Sequence, residues 1–179
     1  MSAISIPRFA LAVAMPLAMP VALSGPQPTR GPEFAGTFTM RYEQQQPTPV
    51  GDADGHIILT AVAKGTNRSS GRTAFMDGAA VTQISLTEMT QGNGPDQGYI
   101  IEAKDGEIAV TRYSGRVKTT LADGKPVTTV EGTWTKVSGT GRYDGITGAG
   151  TYTGRLLSPS DFVVDWRGSM TLKERTAAR

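Results

Sequence analysis

The chain has 179 residues, which is enough for one ordinary domain. Its 38% hydrophobic and 19% charged residues are typical of a globular protein and exclude a disordered chain. The 18 basic and 16 acidic residues are dispersed and leave a formal net charge of +2, so the charge predicts no nucleic-acid partner. The chain contains no cysteine, which excludes disulfides, thiol catalysis and thiolate metal sites.

The N-terminal segment is typical of an export signal. Arg8 precedes an apolar stretch over residues 9–23, and small residues suited to cleavage stand before Gly25. A membrane anchor is the alternative, but this stretch is interrupted by two prolines and is shorter than the roughly 20 residues that span a bilayer. We therefore predict a bacterial periplasmic or secreted protein with no membrane span after cleavage. The predicted organisation is a signal peptide over 1–24, a linker over 25–32, a single barrel domain over 33–174 and a tail over 175–179.

Turn signals divide the domain into eight candidate strands. The pairs Asp105-Gly106 and Asp123-Gly124 favour type I′ hairpin turns. Eight strands joined by short turns predict an all-β fold, an eight-stranded antiparallel up-and-down barrel of the calycin or lipocalin kind. Such a barrel is either filled by side chains or holds one small ligand. The predicted strands are Phe34 to Glu43, His56 to Lys64, Ala79 to Met89, Tyr99 to Ala103, Glu107 to Thr119, Val127 to Lys136, Gly150 to Leu156 and Phe162 to Leu172.

Six glycines alternate with Tyr, Ile and Thr between Ser138 and Gly154. This pattern suits strongly bent strands, where glycine leaves room for a neighbouring backbone. Period-two alternation also places Trp134 and Trp166 on the apolar faces of their strands. Each ring has two interpretations: it forms part of a wall that contacts a ligand, or it packs in an ordinary core.

The segment from Gly98 to Gly154 contains, in order, Gly98-Tyr99, Asp105-Gly106, Ile108, Gly132-Thr133-Trp134-Thr135 and the glycine-rich bend from Gly139 to Gly150. This arrangement resembles the allene oxide cyclase barrel family and its dirigent-like relatives. The resemblance implies an eight-stranded barrel with a hydrophobic cavity. Members of this family include cyclases that act on a fatty-acid epoxide, pericyclic cyclases of polyketide pathways and proteins that orient radical coupling.

A further match lies in Tyr42-Glu43-Gln44-Gln45, which is similar to a Tyr-Glu-x-Asn segment in the first strand of plant members. The resemblance implies that Glu43 and Gln45 line the cavity mouth and act in catalysis, although Gln45 replaces an asparagine and the family's cysteine is absent. Their spacing of two predicts that both side chains emerge on one strand face. A carboxylate inside an apolar barrel would stabilise positive charge or act as a base. A solvent-exposed Glu43 at a strand end is the alternative.

Other polar residues within the predicted strands allow two interpretations. Glu102 and Arg112 flank one hairpin, where they would form a surface ion pair or a polar contact inside a cavity. Asp52, Asp54 and His56 alternate in an Asp/Gly-rich turn, but the remaining ligands of a calcium loop are missing, so we predict no metal site. The predicted ligand-contacting residues are Tyr42, Trp134, Trp166, Glu102 and Arg112.

Two functions follow from these observations. The favoured hypothesis is an exported barrel that binds a hydrophobic small molecule without catalysis. The alternative is a cofactor-free cyclase or isomerase that uses Glu43. A filled barrel with a purely structural role is a third interpretation, and the sequence leaves open whether the protein forms a homo-oligomer. No cofactor is predicted.

Overall fold

Residues 33–173 are described by the computed structural model of the protein. They form eight strands that close antiparallel into a barrel, with each strand beside its chain neighbour and β1 beside β8. This confirms the predicted eight-stranded antiparallel barrel. Among these residues, no helix is long and apolar enough to cross a membrane. The strands are β1 (Glu33–Pro49), β2 (His56–Ser69), β3 (Ala80–Thr90), β4 (Gly94–Lys104), β5 (Glu107–Ala122), β6 (Lys125–Gly139), β7 (Thr147–Leu156) and β8 (Asp161–Thr171).

The predicted signal peptide over 1–24, the linker over 25–32 and the tail over 175–179 lie outside the described residues. All eight predicted strands are present, but several are longer than the turn signals indicated. Strand β1 continues to Pro49 because its Gln/Pro segment pairs with the start of β2, Pro47 opposite Leu59. Strand β4 begins at Gly94 because its first residues pair with β5. Closure of the barrel therefore supplies backbone partners to segments whose own residues favour turns.

One end of the barrel is closed by buried side chains from two connections. The capping segments are residues 70–79, between β2 and β3, and residues 140–146, which include the 3-10 turn Gly141–Tyr143. Phe75 is buried and packs edge-on against Tyr143 and Trp166, with ring centroids 5.3 and 6.3 Å apart. Ile146 is buried beside them in the same core. We call this the capped end. The opposite end, which holds the β1–β2 and β7–β8 connections, is called the open end.

Aromatic rings lie flat against glycines of adjacent strands. A Cβ atom placed on Gly150 or Gly168 would come within 2.5 Å of the Trp134 ring, and one on Gly36 within 2.6 Å of the Trp166 ring. The two indoles meet edge to face, with centroids 6.3 Å apart. Glycines at these three positions therefore provide space for the two rings, and the inward faces of β6 and β8 carry the rings into the core.

Candidate ligand-binding cavity

The barrel encloses a cavity of about 140 Å³. Its lining runs from the buried Glu102 and Lys136 near the capped end to the exposed Gln45 and Pro159 at the open end, so it opens to solvent at one end. An apolar cavity of about this volume accommodates one benzene molecule. Most of the wall is aromatic or aliphatic, including Phe38, Tyr42, Ile100, Trp134, Phe162 and Val164.

A buried ion pair forms the floor of the cavity. The Lys136 ammonium lies 2.5 Å from Glu102 Oε2, and these side chains are only 4% and 1% exposed. Burial raises the pKa of Glu102 and lowers the pKa of Lys136, while their mutual attraction opposes both changes. Asn67 donates to Glu102 Oε1 over 3.4 Å and accepts from the Trp166 indole over 3.2 Å. Glu102 and Lys136 thus compensate each other's charge at the closed end.

Asp96, on β4, is a second acidic group in the cavity lining and is 7% exposed. The Thr87 hydroxyl donates to its Oδ1 over 2.9 Å. Burial raises the pKa of Asp96 to about 6, although hydrogen bonds from Thr87 and the Gln97 backbone oppose the shift. None of the ion pairs formed within residues 33–173 includes Asp96. This carboxylate therefore has no cationic partner in the described part of the chain.

Three tyrosines line the cavity around Asp96. Burial, together with the Asp96 charge, raises the pKa of Tyr42 to about 12 and raises the pKa values of Tyr113 and Tyr152 as well. All three hydroxyls are therefore protonated near neutral pH. The Tyr113 hydroxyl accepts a hydrogen bond from Gln83 over 2.9 Å.

The Tyr152 hydroxyl is buried and has no hydrogen-bond partner among the described residues. Strand register explains its position. Tyr152 pairs with Gly132, Gly132 with Gly115, and Gly115 with Asp96, so the four residues form one row across β7, β6, β5 and β4. The ring lies over Gly132, and the hydroxyl contacts Gly115, the residue directly beside Asp96. Two glycines thus allow the hydroxyl to extend toward the carboxylate.

Most of the residues predicted to contact a ligand lie in this cavity, but Glu43 does not. A β-bulge between Tyr42 and Gln44 adds one residue to β1, so Glu43 and Gln45 no longer share a face. Glu43 is 47% exposed and pairs with Lys64 over 2.9 Å on the outside of the barrel. Alternation from the inward Tyr42 already directs Glu43 outward, so of the two interpretations of the sequence the structure has the exposed one. The bulge instead turns Gln45 inward, which spacing alone does not reveal. The predicted residues that do line the cavity are Tyr42, Gln45, Glu102, Trp134 and Trp166.

Arg112 is also outside the cavity. It pairs in register with Tyr99, and both side chains are exposed on the outer face of the β4–β5 hairpin. Glu102 points inward and binds Lys136, so the predicted cross-strand contact between Glu102 and Arg112 is not made. Alternation within β5 explains why Arg112 faces outward, because its neighbours Thr111 and Tyr113 face inward.

The sequence reasoning missed Asp96, Lys136 and Tyr152. A signal was present for Lys136, which stands two residues after the inward Trp134 on the same strand. Asp96 also alternates with Glu102, but it lies before the predicted start of β4.

His56 lies at the open end between two carboxylates. Its Nδ1 is 2.5 Å from Asp52, and its Nε2 is 3.2 Å from Glu88 on β3. The hydrogen bond with Asp52, and to a smaller extent that with Glu88, raises the pKa of His56. The Asp/Gly-rich turn is therefore bound to the neighbouring strand through the imidazole.

The solved structures that are similar to this chain include those of two pterocarpan synthase dirigent proteins. The structure of GePTS1 has 10% sequence identity and a TM-score of 0.44, over 86% of this chain and 91% of that chain. The structure of PsPTS1 has 11% identity and a TM-score of 0.41, over 83% of this chain and 99% of that chain. Neither a protein-family model nor a curated protein matches the sequence.

Proposed function

We propose that the protein is an exported barrel that binds a small hydrophobic molecule in its cavity. The observation that carries this proposal is a cavity with a largely apolar wall, closed at one end by the buried Glu102–Lys136 pair and open at the other. Sites for small molecules are typically concave and apolar, with a few polar groups that fix orientation. Here those groups are Gln83, Asp96 and the tyrosine hydroxyls.

The cavity volume limits the size of the ligand that can bind inside the barrel. About 140 Å³ corresponds to a single aromatic ring or a short aliphatic chain, whereas sites for drug-sized ligands measure roughly 300 Å³ or more. A longer ligand would place one end against the wall tryptophans and extend past Gln45 into solvent. We therefore expect toluene and benzyl alcohol to be ligands of the protein.

The test uses the two tryptophans of the chain, Trp134 and Trp166, which both line the cavity. Titration with benzyl alcohol should change their fluorescence and give a saturable heat by calorimetry. Val164→Phe should abolish binding because Val164 lines the cavity, while the matched control Val163→Phe, on the alternate face of β8, should retain it. If the unmodified protein binds neither compound, the proposal fails.

The alternative, a cofactor-free cyclase or isomerase, requires a titratable group at the ligand. Asp96 favours this alternative, since it lies in the cavity with a pKa raised to about 6. Glu43→Gln should leave benzyl alcohol binding unchanged, because Glu43 lies outside beside Lys64. A loss of binding in this variant would show that Glu43 contributes to the ligand site.

Export rests on the N-terminal pattern, which lies outside the described residues. Expression of the full chain in an exporting bacterium, followed by mass measurement of the purified protein, should give a chain that starts at Gly25. A protein that retains Met1 and remains in the cytoplasm would contradict export without affecting the cavity.

A further inference from the structure

The charges that line the cavity do not cancel. Its lining includes three side chains that carry charge, namely Asp96, Glu102 and Lys136. Glu102 and Lys136 form an ion pair at the floor, 2.5 Å apart, and so leave Asp96 as the uncompensated charge. A buried carboxylate without a partner is costly, because the apolar surroundings replace its hydration. A ligand that supplied a positive charge at this point would remove that cost.

The arrangement around Asp96 provides an incomplete set of hydrogen bonds. The Thr87 hydroxyl donates to one carboxylate oxygen, Oδ1, and the Gln97 backbone N–H also donates to the carboxylate. The unpartnered Tyr152 hydroxyl lies over Gly115, in the row of paired residues that leads to Asp96. Adjacent strands are about 4.8 Å apart. A donor group between the carboxylate and the hydroxyl would therefore contact both, with the carboxylate and Tyr152 Oη as acceptors.

We propose that the cavity selects a small organic cation, an amine whose ammonium group binds between Asp96 and the Tyr152 hydroxyl while its hydrocarbon part contacts Trp134 and Phe162. This inference rests on the proposed function, since it names the class of molecule that occupies the same cavity. An ammonium ion has several N–H donors, which suits two acceptors on adjacent parts of the wall. A neutral alcohol could donate to one of them only.

The aromatic wall adds to this selectivity. Tyr42, Tyr113 and Tyr152 all lie close enough to Asp96 for its charge to affect their titration. Their hydroxyls remain protonated near neutral pH, so they add no further negative charge. The faces of tyrosine rings attract cations, and this attraction is larger in sites that exclude water. Carboxylate, hydroxyl and ring faces together favour a cation over a neutral molecule of the same shape.

The test compares benzylamine with benzyl alcohol, which differ in the terminal group but share the ring. Calorimetric titrations of the protein, as purified from the exporting host, should give an affinity at least about tenfold higher for benzylamine at a pH of about 7.5. Asp96→Asn should remove this preference, because the amide keeps the shape and the contact to Thr87 but loses the charge. Asp165→Asn is the matched control, since Asp165 is exposed on the outside of β8, and should keep the preference.

A second variant separates the binding role from a folding defect. Tyr152→Phe keeps the ring over Gly132 and removes only the hydroxyl, so it should weaken benzylamine binding several-fold and leave benzyl alcohol binding nearly unchanged. Circular dichroism of each variant should report an intact barrel.

The outcomes distinguish the inference from the function on which it rests. Equal affinities for benzylamine and benzyl alcohol in the unmodified protein would overturn the cation selectivity and leave the cavity function in place. Retention of the amine preference in Asp96→Asn would also overturn it. Binding of neither compound would reject the proposed function itself.

Discussion

Asp96 makes the stability of the protein dependent on pH. Its pKa is raised from the ordinary value of 3.8 to about 6, mainly by burial. Between these two values the folded state binds the proton more readily than the unfolded state does, so stability falls as pH rises through this window. Above it, ionised Asp96 lowers the free energy of unfolding by up to about 3 kcal/mol, since each pKa unit corresponds to about 1.4 kcal/mol.

The variant Asp96→Asn should therefore be more stable than the unmodified protein at a pH of about 7.5, by about 1 to 3 kcal/mol. The asparagine carbonyl can still accept from Thr87, so little else changes at this position. Urea denaturation at several pH values gives the free energy of unfolding of both proteins. The advantage of the variant should shrink as pH falls from about 6 to about 4 and should be absent below about 4, where Asp96 is protonated in both states. Equal stability of the two proteins at neutral pH would contradict the pKa assigned to Asp96.

Residue-level prediction from the sequence was reliable where alternation held and failed where it was interrupted. Trp134 and Trp166 were placed correctly because two-residue alternation runs undisturbed through their strands. Glu43 and Gln45 were expected on one face, but the bulge after Tyr42 turns Gln45 inward and leaves Glu43 outside. Asp96 was overlooked because glycine and proline precede it and indicate a turn, although closure of the barrel makes this segment a strand.

At the scale of elements, Gly150 of the glycine-rich strand β7 leaves room for the Trp134 ring that lies against it. A Cβ on Gly150 would come within 2.5 Å of the Trp134 ring and would also overlap the Arg167 carbonyl oxygen. Both neighbours belong to packed strands, so relief requires movement of β8 or rotation of the indole. Gly150→Ala should therefore destabilise the barrel, although alanine normally suits a strand better than glycine does.

We expect this substitution to lower the free energy of unfolding by about 1 to 3 kcal/mol, the usual cost of overpacking a core. Denaturation by urea, monitored by tryptophan fluorescence, provides the measurement. Thr153→Ala on the outer face of the same strand is the control and should change stability by less than about 1 kcal/mol. An unchanged stability in Gly150→Ala would mean that Trp134 moves freely and does not fix the cavity wall.

The strand assignments depended on local signals, whereas the strand ends depended on the closed barrel. Hairpins at Asp105-Gly106 and Asp123-Gly124 were predictable because these dipeptides suit turns with positive φ, and all four residues have positive φ in the structure. The extension of β1 to Pro49 was not predictable from local residues, because it depends on pairing with β2, which follows later in the chain.

At the scale of the whole molecule, the barrel is asymmetric along its axis. The capped end contains the aromatic cluster of Phe75, Tyr143 and Trp166 and the buried Lys136 ion pair. The open end has exposed strand ends, among them Leu121, which is 77% exposed. Backbone hydrogen bonds near buried apolar contacts open less often than those near solvent. Local stability should therefore decrease from the capped end to the open end.

Hydrogen–deuterium exchange followed by mass spectrometry should reveal this gradient. Peptides over 98–104 and 132–139, near the capped end, should exchange more slowly than peptides over 44–49 and 118–128, near the open end. Added benzylamine should slow exchange mainly over 84–98, the stretch that includes Thr87 and Asp96, because a ligand stabilises the states to which it binds. Uniform exchange along the axis would mean that the barrel opens only as a whole. In that case the cavity mouth could not open independently of the cap, and ligand entry would require the static opening beside Gln45 and Pro159.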